Sequence, residues 1–512
     1  MAEQGSQVDV QTWLDERPFG PYQWVIFFLC FLIVLLDGFD TAAIGYVAPS
    51  LIQEWGVSKP ALAPVLSAAL FGLAAGALSS GPLADRFGRK RVLVLSVLIF
   101  GLGSLASAFA TDLQGLTWLR FLTGLGLGAA MPNAVTLISE YSPARQRSLI
   151  TNAMFCGFPL GASCGGFLAA WMMPAWGWRS VMLLGGVLPL VLVVALLWLL
   201  PESLRYMVAQ GWPAGRIRAV LKRLGADGMA DADLGVAAAS PLSGMAGAPA
   251  RTTEGAALSQ PLVAGRAVGA AGIEVAASNP LTGGGMPSPA STVSSSARET
   301  GAKQGSLAGS IGTLFSPTHR LGSLMLWIAY FMGLVVFYSL INWMPVLFKE
   351  IGMQPRHATL ITAIFPLGGV AAVLLGWLMD RYDANHVIAL GYGLTAVSVW
   401  GIGQAAGQLG WLMVIVFAAG IVMNAAQASM PALAAAFYPT RGRATGVSWM
   451  LGIGRFGGIA GSFLVAWLVA QNLSFEQILS VLALPAVIAM LALLVKAWRG
   501  RRGAVDASRQ AP

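Results

Sequence analysis

Charge is scarce in this chain: only 10% of its 512 residues are Asp, Glu, Lys or Arg, while 56% are hydrophobic. No soluble domain has that balance. Three cysteines and three histidines are too few and too scattered for a metal cluster or a disulfide framework. Cys30, Cys156 and Cys164 all fall in apolar runs, where a thiol packs as a small hydrophobe. A phosphate loop is missing as well, because the Gly124, Gly126, Gly128 run is followed by no Lys-Ser or Lys-Thr. With no nucleophile motif and no soluble domain to hold one, the expectation is a protein that is not an enzyme and uses no metal or cofactor. The N-terminus lacks a signal peptide's basic region and cleavage site, so the first apolar run is expected to be kept.

What is present is a series of apolar runs, each long enough to cross about 30 Å of hydrocarbon as a helix of about 20 residues. Twelve such runs are expected, the first at 22–47, the eighth at 357–379 and the last at 475–497. The fold class is therefore an all-α membrane protein. Basic residues in such a chain report orientation before they report a nucleic-acid partner, and none is expected. Arg86, Arg89, Lys90, Arg91, Arg145, Arg147, Arg381, Arg441 and Arg443 follow even-numbered runs, whereas only Lys59, Lys349, Arg356 and Arg179 border odd-numbered ones. Both termini are expected in the cytoplasm of a multi-pass inner-membrane protein.

Two acids stand out inside the first run: Asp37 and Asp40, in LLDGFDTAAIGYVAP. A carboxylate near the bilayer midplane costs roughly 2.5–3.5 kcal/mol, so two in one helix call for a function, by default transport. Three residues apart, they are expected to lie on one face and share one environment, where close carboxylates cannot both stay ionised cheaply. That makes them candidate proton carriers. The bland alternative is a cap or a structural pairing with a neighbouring helix.

The chain also repeats itself. Gly81, Asp85 and Arg86 of GPLADRFGRKRVL return as Gly376, Asp380 and Arg381, 295 residues on. Pro143, Arg145 and Arg147 return as Pro439, Arg441 and Arg443 at an offset of 296. Two echoes at nearly one offset imply two homologous halves of six spans, the parallel repeat of secondary transporters. The expected organisation is an N-terminal segment 1–21, halves at 22–200 and 321–498, a central loop 201–320 and a tail 499–512. The loop opens with basic helical residues (Arg216, Arg218, Lys222, Arg223), and its Ala, Gly, Ser and Pro content beyond about 226 predicts disorder.

With its Gly-x-Leu-Ala-Asp-Arg-x-Gly-Arg-Lys turn, the chain resembles the major facilitator superfamily. LDGFDTAAIGYVAP, GLGLGAAMPNAVTLISEYSP and LPESLRYMVAQG narrow the resemblance to its aromatic acid:proton symporters, nearest to carriers of 4-hydroxybenzoate, protocatechuate and benzoate. The resemblance implies that Asp37 and Asp40 couple protons and gate a small aromatic carboxylate, in a protein that needs only the lipid bilayer and works as a monomer. It also implies a gate built on Gly81, Asp85, Arg86, Gly88, Arg89, Asp380 and Arg381. Glu140 is expected to join it through Arg145 and Arg147.

Arg120 sits near the depth of Asp40 and is expected either to pair with the acids or to receive a substrate carboxylate. Arg455, amid the glycines of GIGRFGGIAG, is the second anion anchor, or else a bond that holds the halves together. Phe155, Phe158, Tyr338, Asn342, Trp343, Asn424 and Gln427 are candidates to line a cavity for a flat ring. Gly72 and Gly76, and Gly157, Gly161 and Gly165, are expected to form smooth ridges for sliding between the halves. Two rivals use the same residues: an exporter or antiporter of organic anions or drugs, and a membrane sensor signalling through the central loop.

Overall fold

The first apolar run becomes one helix of 35 residues, α1 (Pro21–Trp55), about 52 Å long at 1.5 Å per residue. Its start is set by Pro21 in the first turn, where no N–H is needed, and by Gln23 Oε1, which accepts from Gly20 N at 2.6 Å. Gly56, left-handed at φ 61°, ends it. The computed structural model describes residues 14–15, 17–225, 314–371, 378–379, 381–405 and 407–510. Most of the expected loop, 226–313, and both Gly376 and Asp380 lie outside the described residues.

The rest of the first half comprises α2 (Ala63–Phe87), α3 (Arg89–Ser107), α4 (Leu113–Tyr141), α5 (Arg147–Phe155), α6 (Gly157–Trp176) and α7 (Arg179–Leu199). Short helices α8 (Leu204–Ala209) and α9 (Ala214–Arg223) follow, and α9 buries Ile217 and Leu221. The second half comprises α10 (Arg320–Glu350), α11 (Pro355–Leu367), α12 (Ala384–Gln404), α13 (Leu409–Phe437), α14 (Thr440–Ala470) and α15 (Phe475–Gln510). Large apolar side chains such as Phe109, Trp171 and Trp198 remain exposed, as a lipid-facing surface requires.

Eleven helices among the described residues are long and apolar enough to cross a membrane, not twelve. The expected eighth span is where the count falls short. α11 has 13 residues and contains Pro366, after which Gly368–Ala371 tightens into a 3-10 turn and 372–377 lie outside the described residues. Proline removes a ladder hydrogen bond and glycine lowers helix propensity, so the helix gives way there.

The glycine ridges do different work from that expected. A methyl group at Gly72, Gly76, Gly124 or Gly128 would run into the backbone carbonyl of Phe121, Leu125, Ala69 or Leu73, respectively. α2 and α4 are thus locked together within the first half. Gly157 and Gly161 likewise press on the α1 backbone at Phe31 and Leu35. Close backbone approach binds helices tightly, so these ridges are internal seams, not sliding surfaces.

Contact between the halves concentrates at the end where α1 finishes, here the far end. Gly45 meets the backbone of Ile341 and Asn342, Gly166 meets Ala363, and Lys349 Nζ donates to Pro49 O at 3.4 Å. Lys59, just beyond α1, forms an ion pair with Glu350 at the end of α10. At the near end, where α1 begins, Leu78 is 82% exposed and Gly81, Pro82 and Leu83 are exposed on the closing turns of α2. The described halves therefore meet at the far end and part toward the near end.

Candidate functional site

Asp37 sits close to the midpoint of α1, and from there the two acids diverge. Three residues on a helix amount to a rotation of about 60° between side chains, enough to send them to different neighbours. Asp40, 1% exposed, turns into the first half. Arg120 of α4, itself 0% exposed, grips it with Nη2 to Oδ2 at 2.6 Å and Nη1 to Oδ1 at 3.0 Å, and also donates to Asp40 O at 3.1 Å. Ser104 Oγ of α3 adds a bond to Oδ1 at 2.9 Å. A two-pronged guanidinium with a supporting hydroxyl is what makes a dry ion pair tolerable.

Asp37, 3% exposed, accepts from Thr41 Oγ1 at 3.3 Å and faces the second half, within electrostatic reach of Arg455 and Tyr338. The expected single environment is thus two adjoining ones. Arg120 belongs to Asp40 in this conformer and is not presented to a substrate.

Arg455 lies halfway along α14 and crosses the boundary, donating from Nη1 to Leu73 O of α2 at 3.0 Å. Its neighbours explain the glycines around it. A methyl at Gly454 would strike the Tyr330 ring, and one at Gly458 would lie 2.5 Å from Tyr338 Cδ2, so two α10 phenols are slotted against α14 just before and just after Arg455. Asp37, Arg455, Tyr338 and Tyr330 make one mid-depth cluster drawn from both halves. Tyr330 was not among the sequence candidates; only its spacing of eight residues from Tyr338, two helical turns on one face, hinted at it.

The remaining candidates separate. Phe158, not Phe155, meets the second half: its ring lies 6.4 Å from that of Phe337, while Phe155 ends α5 and is 39% exposed. Asn342 is buried at the α1–α10 crossing, and its amide turns to Ser462 Oγ at 3.5 Å inside the second half. Gln427 is half-buried and accepts from Tyr392 Oη at 2.7 Å. Asn424 donates to Gly420 O at 2.7 Å along its own helix. Trp343 is wholly buried in the core.

The near-end network also has different members from those expected. Glu140 pairs with Arg89 and accepts from Ser203 Oγ at 2.6 Å, not from Arg145 or Arg147. Arg145 is exposed, and Arg147 instead reaches Asp15 and Ser142 O, both at 3.3 Å. The reason is reach: α4 ends at Tyr141, and the chain turns away before Arg145, whereas Arg89 opens α3 directly beside Glu140. Glu202, which sequence reasoning used only as part of a resemblance, accepts from Arg89 N at 2.9 Å and Lys90 N at 3.0 Å, capping α3. Gly88, at φ 94°, stands where a side chain would meet Glu202 Oε2 at 2.5 Å. Asp85 and Arg86 are exposed, and Arg381 is exposed at the equivalent turn. Among the described residues no group of His, Cys, Asp and Glu could hold a metal ion.

Comparison with known proteins fits this architecture. Residues 30–224 and 326–511 match the Major Facilitator Superfamily. A 4-hydroxybenzoate transporter, PcaK, of Pseudomonas aeruginosa is 47% identical over 491 residues, covering 96% of each chain. A gallate transporter of Pseudomonas putida is 44% identical over 488 residues, covering 95% of this chain and 94% of its own. In fold, the chain is similar to the inward open conformation of the xylose transporter XylE from E. coli, with a TM-score of 0.63 at 15% identity over 92% of this chain and 95% of that one. The chain therefore belongs to the major facilitator superfamily, and within it to the family of those 4-hydroxybenzoate and gallate transporters.

Proposed function

We propose that the protein imports a hydroxybenzoate-type aromatic carboxylate together with protons across the inner membrane by alternating access. The observation that carries this reading is the mid-depth cluster in which Asp37 of α1 lies within electrostatic reach of Arg455 of α14, whose guanidinium crosses to Leu73 O. An anionic cargo finds a guanidinium there, and a proton finds a carboxylate. Neutralising both buried charges lowers the cost of occluding the site, after which the halves rock about it. One proton cancels the charge of a monoanionic cargo, and each further proton moving down 100 mV releases about 2.3 kcal/mol to drive accumulation.

In this reading α11 and the turn Gly368–Ala371 belong to the eighth of twelve spans, in two six-helix halves related by an axis along the membrane normal. The near end, with the basic turns and both termini, faces the cytoplasm under the positive-inside rule. The present conformer is then open to the cytoplasm, closed by the Lys59–Glu350 pair on the other side. Asp85, Arg86, Arg89, Glu140, Asp380 and Arg381 serve the cytoplasmic gate, and one copy of the chain suffices.

The test is uptake of radiolabelled 4-hydroxybenzoate into cells with and without a proton uncoupler, for the wild type and Asp37→Asn. Accumulation that the uncoupler and the substitution both abolish, at normal membrane abundance, is expected. Accumulation that survives both overturns the reading.

A further inference from the structure

Next to the charged cluster, and sharing Tyr330 with it, the second half holds a polar chain. Tyr392 Oη of α12 donates to Gln427 Oε1 of α13 at 2.7 Å. That bond decides which way the amide faces, leaving Nε2 directed at α10, where its contact with Tyr330 O is long, at 3.5 Å. An amide nitrogen carries two N–H donors, so this group has donating capacity to spare. The Tyr330 ring lies against Gly454 of α14, next in sequence to Arg455, so its phenol stands between the amide and the guanidinium's helix. Both Gln427 and Tyr330 are half-buried.

Gly333 makes the arrangement possible. A methyl group there would run into Gln427 Oε1 and lie 2.7 Å from Tyr392 Oη. The backbone of α10 thus provides a socket for an amide reaching over from α13.

Resting on the proposed function, we infer that Gln427 and Tyr330 read the ring hydroxyl of the cargo and make the carrier prefer hydroxylated aromatic carboxylates to unsubstituted benzoate. The chemistry at the two places differs. A carboxylate only accepts, and its partner is the guanidinium of Arg455. A phenol both donates and accepts, and it matches an amide N–H on one side and a tyrosine oxygen on the other. A flat ring with a carboxylate at one end and a hydroxyl at the other satisfies both. Benzoate leaves the amide without its acceptor, and a site built to bond a hydroxyl discriminates against the analogue that lacks one. Gly333 and Tyr392 act as positioning residues through Gln427.

The experiment measures initial uptake of 4-hydroxybenzoate and of benzoate side by side in the wild type, Gln427→Leu and Gly333→Ala, normalised to membrane abundance. The readout is the ratio of the two rates, so general damage cancels. In Gln427→Leu the preference for 4-hydroxybenzoate is expected to fall about tenfold, the worth of one hydrogen bond. Gly333→Ala keeps the amide but displaces it, and its ratio is expected to move the same way. An unchanged ratio in both variants, including equal loss of both compounds, overturns the inference while leaving the proposed function standing. Uptake of neither compound by the wild type overturns both.

Discussion

The same turn occurs in each half, 295 residues apart, and the two copies are held by opposite means. In the first half the residue opening α3 follows Gly88, and the cap comes from elsewhere in the chain: Glu202, beyond α7, accepts from Arg89 N and Lys90 N. In the second half the residue at the Gly88 position is Asp383, at φ −58°, and it caps its own helix by accepting from Asn385 N at 2.9 Å and His386 N at 3.2 Å. The last helix, α15, contributes a cation instead, Lys496, whose Nζ donates to Asn385 Oδ1 at 2.6 Å. A repeated motif thus does not mean repeated chemistry. The first-half turn is tied to α4 through Arg89 and Glu140 and to the segment leading into the central loop, whereas the second-half turn caps its own helix and is tied to α15 through Asn385. The mid-depth charges show the same inequality, with Asp37, Asp40 and Arg120 buried in the first half and a half-buried cation, Arg455, reaching over from α14.

The largest test of that inequality lies in the buried charges. Arg120→Met strands Asp40 without its partner, a change that typically costs about 3–5 kcal/mol, and both membrane abundance and detergent melting temperature are expected to fall sharply. Asp37→Asn removes a charge bonded only through Thr41 among the described hydrogen bonds. It is expected to leave melting nearly unchanged while abolishing accumulation. Equal melting losses for the two would show that the acids form one unit after all.

The capping difference comes next. Gly88→Ala forces a side chain into a backbone region that costs about 1–3 kcal/mol and against the Glu202 carboxylate. Asp383→Ala loses one cap, worth about 1 kcal/mol. Melting curves of the two variants are expected to rank in that order, and a reversed ranking would remove the distinction between a distant cap and a local one.

Acid provides a finer probe of the second-half turn. Burial works against the Asp383 charge, but hydrogen bonds from His386 and Asn385 outweigh it and hold the carboxyl at about 2, below its ordinary 3.8. A lowered value means that the contribution is complete above the ordinary value and is lost as pH falls toward about 2. The melting difference between wild type and Asp383→Asn is therefore expected to hold constant down to about pH 4 and to narrow below it.

The smallest effect on stability belongs to Lys59–Glu350, a partly exposed pair for which about 0–1 kcal/mol is typical. Its effect is expected to be conformational: Glu350→Lys opens the far end, raising the labelling of a cysteine placed at Ala63, and Lys59→Glu in the same chain restores closure. Labelling unchanged by either substitution would mean that backbone packing alone closes that end.

Much of the fold was legible because hydrocarbon leaves few options for a chain this poor in charge. Apolar runs of membrane length have to be helices, and the two echoed turns marked the halves. At the expected eighth span the described helix is shorter than hydropathy suggests, because hydropathy does not register what Pro366 and two glycines do to a helix ladder. Asp37, Asp40, Arg120 and Arg455 were conspicuous as charges in apolar sequence. Their partners were not: Ser104, Thr41 and Tyr330 are ordinary residues in apolar helices, and Glu202 lies 113 residues from the N–H it caps. Arg145 and Arg147 were attractive because they lie near Glu140 in sequence, and Arg89 supplanted them because it lies near in space.

Composition and spacing alone determined that this is a bundle of membrane-length helices carrying an echoed turn, with acids at mid-depth in the first helix. Those properties follow from single segments and their solvent. Only the tertiary structure decided that Asp40 belongs to Arg120 while Asp37 looks across to Arg455. A rotation of about 60° on one helix has no meaning until the neighbouring helices are in place to give each face its own environment.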